Sequence, residues 1–105
     1  MKNNENRMTL YLPLKKRWYE MIESGEKTEE YRENKLYWQK RLYKDEGYVT
    51  QKFKPYTHVT FSYGYTKRHM TFKIKRIVLS YGNPKWGAPT DKEVFVIALG
   101  ERCEN

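Results

Sequence analysis

The stretch Val94–Leu99 is a nearly continuous apolar run in a chain of which 32% is charged. A run of this length is typical of a central β-strand that is buried on both faces. It is far shorter than the roughly 20 residues that are needed to cross a bilayer. The other elements of the chain therefore have to pack around this strand, and their patterns decide the fold class.

The first half of the chain alternates between short strand and helix patterns. Thr9–Leu12 and Lys27–Glu33 are predicted as strands. Between them, Pro13 is predicted at the first position of a helix that ends at Gly25. A second helix is predicted over Leu36–Tyr43. The residues predicted to face the core are Leu14, Trp18, Met21 and Ile22 in the first helix and Leu36, Trp38, Leu42 and Tyr43 in the second.

The second half contains three strand patterns. Apolar and polar residues alternate in Val59–Tyr63 and in Met70–Ile74, and the apolar positions change parity at Lys75–Arg76, which predicts a β-bulge or a sharp bend there. Loops are predicted at Asp45–Pro55 and Gly82–Pro89. The order strand, helix, strand, helix and three strands predicts an α+β fold, either a small β-barrel or a curled mixed sheet with two helices at its side.

Aromatic side chains have to build much of the core. Leu, Ile, Val and Phe contribute only 20 of 105 residues, a level that together with a net charge of +8 is typical of disordered chains. Ten Tyr and three Trp supply the missing apolar surface. We expect a single domain over residues 1–105, with residues 1–7 flexible. A domain of this size buries roughly 60–68% of its unfolded surface, so we expect its site to be an open cleft.

The positive charge is concentrated in one segment. No Asp or Glu occurs from Gly47 to Thr90, whereas eight Lys and Arg and nine aromatic residues do. Cations interleaved with aromatic faces suit a polyanion whose bases can stack, which indicates single-stranded or looped nucleic acid. A solvated strand face on a basic protein is the alternative. The residues of this segment that we predict to contact nucleic acid are Tyr63, Tyr65, Lys67, Arg68, Lys73, Lys75, Arg76 and Trp86, the last of which could instead be a lid over the core.

Several classes of protein and site are excluded by the sequence. Residues 1–8 lack the apolar core of a secretory signal, and one Cys cannot form an internal disulfide, so we expect a cytoplasmic protein. The spacings of His58, His69 and Cys103 match no zinc pattern. No glycine-rich phosphate loop or Gly-x-Ser-x-Gly elbow occurs. The sequence therefore predicts no metal, no cofactor and no membrane partner.

The densest chemistry lies in Gly25–Arg32, directly after the predicted first helix. Lys27, Glu30 and Arg32 can converge on one cleft, where two cations would bind phosphate or carbonyl oxygens and the carboxylate would bind base edges or transfer a proton. In a strand, Glu30 and Arg32 share a face, whereas Lys27 depends on the glycine turn to reach them. An ion pair between Glu30 and Arg32 that only organises the strand is the alternative.

With Gly25, Lys27, Glu30 and Arg32, this segment resembles the Gly-x-Lys-x-x-Glu-x-Arg signature of ASCH domains, and the helix that precedes it fits the family as well. The length of the chain and the order of its elements extend the resemblance to the whole sequence. The resemblance implies a PUA-like fold, which is a compact β-barrel with helices at its side. It also implies a cleft that binds RNA or a nucleoside-like ligand and is lined by Lys27, Glu30 and Arg32.

The resemblance also implies an alternative function as an enzyme. Some similar small bacterial proteins are amidohydrolases that remove an acyl group from N4-acetylcytidine with a Lys, a Thr and a Glu, and ribonuclease activity has been associated with related domains. Lys27 matches their Lys, but Glu30 occupies the position of their Thr nucleophile, and Thr28 would point to the other face of a strand. As catalytic residues, Lys27 would be an electrophile or activated base, Glu30 a general base, and Arg32 an oxyanion or phosphate clamp. Two hypotheses follow: a module that binds RNA, other single-stranded nucleic acid or a modified nucleoside, and a hydrolase that acts on such a nucleoside or on RNA.

Overall fold

The computed structural model describes residues 6–44 and 52–103. Its elements are β1 (Thr9–Leu14), α1 (Lys16–Glu23), β2 (Glu29–Arg32), α2 (Leu36–Leu42), β3 (His58–Tyr63), β4 (His69–Ser80), a short 3₁₀ helix (Pro84–Trp86) and β5 (Val94–Cys103). The predicted order of strands and helices is therefore confirmed. Residues 1–5 of the segment predicted to be flexible, and residues 45–51 of the predicted loop, lie outside the described residues.

The five strands form one mixed sheet in the order β1-β3-β4-β5-β2. β1 and β3 run parallel, and the other neighbouring strands are antiparallel. The sheet curls into a half-barrel, so that its two edge strands approach each other and the Arg32 side chain in β2 reaches the backbone of Pro13 in β1. We call the gap between β1 and β2 the seam. The predicted α+β fold with a curled mixed sheet and two helices is confirmed.

The central strand and the bulge are both confirmed. All six residues of Val94–Leu99 are buried in β5, which lies between β4 and β2. Along β4, Ile74 lies opposite Leu99, but Arg76 lies opposite Ala98, so one extra residue is inserted at the predicted change of parity. The bulge allows β4 to keep apolar side chains directed at the core on both sides of the inserted residue.

The core combines aliphatic and aromatic side chains from β1, β3, β4, β5 and both helices. Tyr19 and Ile22 are its members from α1, where three-residue spacing puts them on one helix face. The aromatic rings of Tyr43, Phe53 and Phe95 pack together at the C-terminal end of α2. The fully buried cluster consists of Leu10, Leu12, Leu14, Tyr19, Ile22, Leu42, Tyr43, Val59, Phe61, Met70, Phe72, Phe95, Ile97 and Leu99. Neither helix in the described part of the chain has the length and apolar character that crossing a bilayer requires.

The prediction that Pro13 begins the first helix is wrong, because Pro13 lies in β1 and α1 begins only at Lys16. The carbonyls of Met8 and Leu14 pair with the β3 side. The carbonyls of Tyr11 and Pro13 lie on the opposite side of β1, towards the seam, where they accept hydrogen bonds from arginine side chains. A proline is tolerated on the open side of an edge strand, since the N–H that it lacks would have no partner within the sheet.

The buried face predicted for the second helix is correct in part. Leu42 and Tyr43 are buried and Trp38 is half-buried, but the prediction that Leu36 is buried is wrong, because its side chain is exposed. Trp38 and Leu42 are four residues apart and share a helix face. Leu36 precedes Trp38 by only two residues, and this spacing turns its side chain away from that face.

Candidate functional site

A cleft of about 460 Å³ lies at the seam, and we call it the seam cleft. Its walls come from the end of β1, the start of α1, β2 and the turn between β3 and β4. An open, partly aromatic cleft agrees with the site expected for a chain of this size. The lining residues are Pro13, Leu14, Lys15, Trp18, Glu30, Tyr31, Arg32, Gly64 and Tyr65.

The end of α1 directs Lys27 into the protein. Gly25 has a φ of 89°, a left-handed conformation that ends the helix at little cost only for glycine. The backbone N–H of Lys27 then donates to the carbonyl of Met21 at 3.0 Å, which closes the turn. As a result, the Lys27 side chain enters the core beside β2 and is only 1% exposed.

The structure brings Lys27, Glu30 and Arg32 together. One carboxylate oxygen of Glu30 lies 3.2 Å from Nζ of Lys27, and the other accepts a hydrogen bond of 2.8 Å from Nη2 of Arg32. Glu30 and Arg32 share a face of β2, as predicted, and the turn at Gly25 brings Lys27 to them. The three charges sum to a net positive site in which one nearly buried carboxylate is fixed by two cations.

Lys27 is enclosed on every side by polar and aromatic groups. Its ammonium donates to the carbonyl of Trp86 at 2.6 Å and lies 4.8 Å and 4.7 Å from the ring centroids of Trp18 and Tyr31. Burial lowers the pKa of Lys27, and the negative charge of Glu30 partly offsets this effect. Lys27 does not line the cleft; it acts on the cleft through Glu30, whose carboxylate it holds in place.

Arg32 joins the two edges of the half-barrel. Its Nη2 donates to the Pro13 carbonyl at 3.4 Å, and its guanidinium lies 5.1 Å from the ring centroid of Trp38. Among the described residues, its Nε–H is a buried donor with no hydrogen-bond partner. A buried donor without a partner costs on the order of 1–3 kcal/mol, so an acceptor that reached it would recover free energy.

Tyr31 connects the cleft to the loop that follows β4. Its hydroxyl donates to Glu29 at 2.7 Å and accepts from the backbone N–H of Asn83 at 2.9 Å. Burial raises the pKa of the Tyr31 phenol well above its ordinary value, so the phenol is neutral at physiological pH. Gly82 lies so close to the Tyr31 ring that a Cβ there would be only 2.5 Å from a ring carbon. The loop is therefore fitted against β2.

The half-buried Trp86 is in this loop, which covers Lys27. Gly87, the next residue, packs against Trp18: a Cβ at this position would lie 2.9 Å from the Trp18 ring. Its φ of 102° is a second reason why this position favours glycine. The contacts of the loop agree with the interpretation of Trp86 as part of a lid, and a role for its ring in binding stays a prediction.

The turn between β3 and β4 forms the rim of the cleft through Gly64 and Tyr65. Tyr65 is 96% exposed and lines the cleft, and the exposed Lys67 follows it in the same turn. Arg68 is engaged within the protein instead, since it pairs with Glu23 at 3.0 Å and lies 4.9 Å from the ring centroid of Tyr63.

The predicted contacts farther along β4 are separate from the cleft. Lys73 pairs with Glu101 of β5 at 3.3 Å. Lys75 and Arg76 are exposed at the bulge, and the described lining of the cleft includes none of these three cations. The acid-free segment of the sequence is thus partly neutralised in space by acidic residues from other segments.

Sequence reasoning missed Trp18, Tyr31 and Trp38 as members of the site. Helical spacing assigned both tryptophans to the core, yet Trp18 covers Lys27 and Trp38 covers Arg32. Cations that are buried need aromatic faces or anions as neighbours. The aromatic residues that flank the Lys-x-x-Glu-x-Arg segment in sequence were the available signal.

The donor set of the site is not that of a metal centre. Among residues 6–44 and 52–103, no cluster of three His, Cys, Asp or Glu side chains could hold a metal ion.

Comparison of the chain with protein-family models, with curated proteins and with solved structures finds no match in any of the three. The resemblance to ASCH domains therefore stays a prediction.

Proposed function

We propose that this protein is an ASCH-type, PUA-like domain that binds single-stranded RNA and holds one nucleoside unit in the seam cleft. The observation that carries the proposal is the fixed carboxylate of Glu30, which lines the cleft and is held by Lys27 and Arg32. A carboxylate in this environment is an acceptor of fixed position and direction. Such an acceptor suits the amino or imino hydrogens on the edge of a base.

Aromatic groups and cations around Glu30 complete a site for a nucleotide. The exposed Tyr65 offers a ring in the cleft, and base–aromatic stacking contributes about 1–3 kcal/mol per base. Trp18 also lines the cleft, with Arg17 and Lys27 4.7 Å and 4.8 Å from its ring centroid. Lys15 in the cleft wall and Lys67 in the adjacent turn have no acidic partner among the described residues. Both are suited to pair with phosphates, which supports a ligand that combines a base with a phosphodiester.

The test compares two exposed tyrosines, one in the cleft and one outside it. Tyr65→Ala removes a ring of the cleft, and Tyr81→Ala removes a ring that is 62% exposed and does not line it. Binding of ribonucleoside 5′-monophosphates and of a short single-stranded RNA is measured by titration calorimetry. We expect Tyr65→Ala to weaken both by about tenfold, the effect of one stacked base, and Tyr81→Ala to leave both unchanged. If the two substitutions changed the affinities equally, the seam cleft would not be the site that holds the nucleoside.

A series of salt concentrations separates the contributions of phosphate and base. The logarithm of RNA affinity should fall with the logarithm of salt concentration, with a slope of about 0.7 per phosphate contacted on a single strand. The affinity for an uncharged nucleoside should change little over the same range. If the RNA affinity did not respond to salt, the basic residues at the rim would have no part in binding.

A hydrolase that acts on an acylated nucleoside or on RNA is the second candidate function. The observation that favours it is a buried lysine of lowered pKa in contact with a carboxylate that faces the cleft. In such an enzyme, Glu30 would act as general base towards water, and Lys27 would position Glu30, because Lys27 itself does not line the cleft. Mass spectrometry of acylated nucleosides and RNA after incubation tests this candidate. Unchanged substrates would exclude it for those compounds.

A further inference from the structure

A second group of aromatic side chains and a cation lies beyond Arg32, on the α2 side of the seam. We call it the α2 platform; it consists of Tyr11, Tyr37, Trp38 and Arg41. Tyr11 and Tyr37 are 64% and 56% exposed, although both are large apolar rings. A cluster of exposed aromatic rings is a feature of surfaces that bind a partner.

Hydrogen bonds hold the α2 platform in one arrangement. Arg41 donates to the Tyr37 hydroxyl at 3.1 Å and to the Tyr11 carbonyl at 3.4 Å. The ring of Trp38 packs edge-on against Tyr37, with centroids 4.9 Å apart, and its centroid lies 5.6 Å from the Arg41 guanidinium. The backbone carbonyl of Arg41 accepts a hydrogen bond of 3.0 Å from Tyr56. Because these contacts order the rings of Tyr37 and Trp38 before binding, a ligand stacked there would lose less entropy than on mobile side chains.

The charge around the platform is positive. The segment Asn34–Lys44 contains four Lys and Arg and no Asp or Glu. Among its described ion pairs, the only one joins Lys35 to Glu33, just before α2. Lys54, from the chain before β3, adds its ammonium by donating to the Lys40 carbonyl at 3.2 Å. An anionic partner therefore fits this surface better than a cationic or purely apolar one.

The α2 platform is continuous with the seam cleft. The ring of Trp38 contacts the guanidinium of Arg32, which lines the cleft, and also that of Arg41, which belongs to the platform. One aromatic side chain therefore links the two sites, with the guanidinium groups of Arg32 and Arg41 5.1 Å and 5.6 Å from its ring centroid. Bases and phosphates alternate along a single-stranded nucleic acid, so neighbouring rings and cations on a protein can contact both.

We propose that the α2 platform is a second stacking subsite, which takes the base next to the one held in the seam cleft, with the intervening phosphate near Arg32 and Arg41. This inference rests on the proposed function and adds the path of the bound RNA, which runs along the seam and across Trp38. None of the four residues that define the platform carries a carboxylate, so it accepts any base by stacking. Selectivity belongs to the cleft, and the platform adds affinity for a strand over a single nucleotide.

The experiment compares Tyr37→Ala with Tyr37→Phe and with Tyr81→Ala as a matched exposed control. Each protein is titrated with a ribonucleoside 5′-monophosphate and with a short single-stranded RNA, and circular dichroism checks that each is folded. We expect Tyr37→Ala to weaken RNA binding about tenfold and to leave mononucleotide binding unchanged. Tyr37→Phe keeps the ring and should bind RNA as the wild type does.

Three results would overturn the inference in distinguishable ways. If Tyr65→Ala weakens RNA binding and Tyr37→Ala does not, the subsite is absent while the proposed function stands. If the wild type binds neither RNA nor mononucleotide, the proposed function fails and takes the subsite with it. If Tyr37→Ala instead changes the oligomeric state in sedimentation analysis and leaves RNA affinity intact, the platform is a contact between copies of this chain.

Discussion

The β3–β4 segment and the seam use the same kinds of residue for different purposes. Along β3 and β4, cations and aromatic rings are dense in sequence, but Arg68 and Lys73 are paired with acidic residues from α1 and β5, and Lys75 and Arg76 point to solvent. At the seam, fewer cations are present, but Lys27 and Arg32 converge on one carboxylate and are covered by aromatic rings.

A high density of charge along a sequence therefore does not by itself mark a binding site. The β3–β4 cations are exposed, so each contributes weakly and is screened by salt. The seam charges are buried, so the groups around them fix their positions and determine what their ion pairs contribute to stability. We therefore assign selectivity to the seam and a salt-dependent contribution to the exposed cations at its rim. Four substitutions or pairs of substitutions test this contrast.

The largest effect is expected for Lys27→Met. This substitution leaves the nearly buried Glu30 with Arg32 as its one remaining cation, and breaking a buried ion pair typically costs about 3–5 kcal/mol. The matched control is Lys35→Met, which removes an exposed ion pair with Glu33 and should cost far less stability, because water screens that pair. Urea denaturation measures both free energies of unfolding. Equal losses in the free energy of unfolding would show that the buried ion pairs at the seam stabilise the fold no more than an exposed ion pair does.

A smaller loss of stability is expected for Gly87→Ala in the loop that covers Lys27. A Cβ at this position would lie 2.9 Å from the Trp18 ring, and the φ of 102° adds backbone strain, for a total of about 2–3 kcal/mol. Gly64→Ala is the control, because Gly64 also has a positive φ but has open space around it. Thermal denaturation should rank Gly87→Ala below Gly64→Ala. The reverse order would contradict the close packing of the loop on the cleft.

The alkaline pH dependence of stability should report on Tyr31. Above about pH 10 an unfolded tyrosine loses its proton, whereas the raised pKa lets native Tyr31 keep it. The native state then binds more protons than the unfolded state, so stability falls as pH rises above about 10. Tyr31→Phe removes this contribution, while that of Tyr43, whose pKa burial also raises, remains. Urea denaturation at several pH values should therefore give a steeper alkaline decline for the wild type, and parallel curves would refute the burial of Tyr31.

The smallest effect is expected at the rim of the cleft. Lys67→Gln removes an exposed cation without an acidic partner among the described residues, and should reduce the salt slope of RNA binding by about 0.7. Arg68→Gln should reduce it less, because Glu23 already balances the charge of Arg68. Fluorescence anisotropy at several salt concentrations measures both slopes. A larger change for Arg68→Gln would mean that this ion pair opens when RNA binds.

Much of the fold could be predicted because local patterns decided it. The alternation in β3 and β4, the bulge at Lys75–Arg76 and the apolar run of β5 each depend on neighbouring residues. Pro13 could not be placed, since its tolerance depends on β1 being an edge strand with its open side towards the seam. Leu36 was misassigned because a helix as short as α2 gives little evidence for its phase.

The candidate site was predictable in its charged members and in Tyr65, but not in its other aromatic members. The turn at Gly25 made the convergence of Lys27 on Glu30 an inference from sequence. The aromatic cover from Trp18 and Trp38 depends on how α1 and α2 pack beside β2, which no local pattern specifies. The pairing of Arg68 with Glu23 depends in the same way on a contact across 45 residues.

The most direct test of the contrast uses the indole N–H signals of the three tryptophans in a nuclear magnetic resonance titration with a short single-stranded RNA. Trp18 lines the cleft and Trp38 lies between the cleft and the α2 platform. We predict that the indole signals of both shift on binding, and that the backbone amides of Lys75 and Arg76 shift far less. Shifts confined to β4, with unchanged Trp18 and Trp38 signals, would contradict the assignment of the nucleoside to the seam.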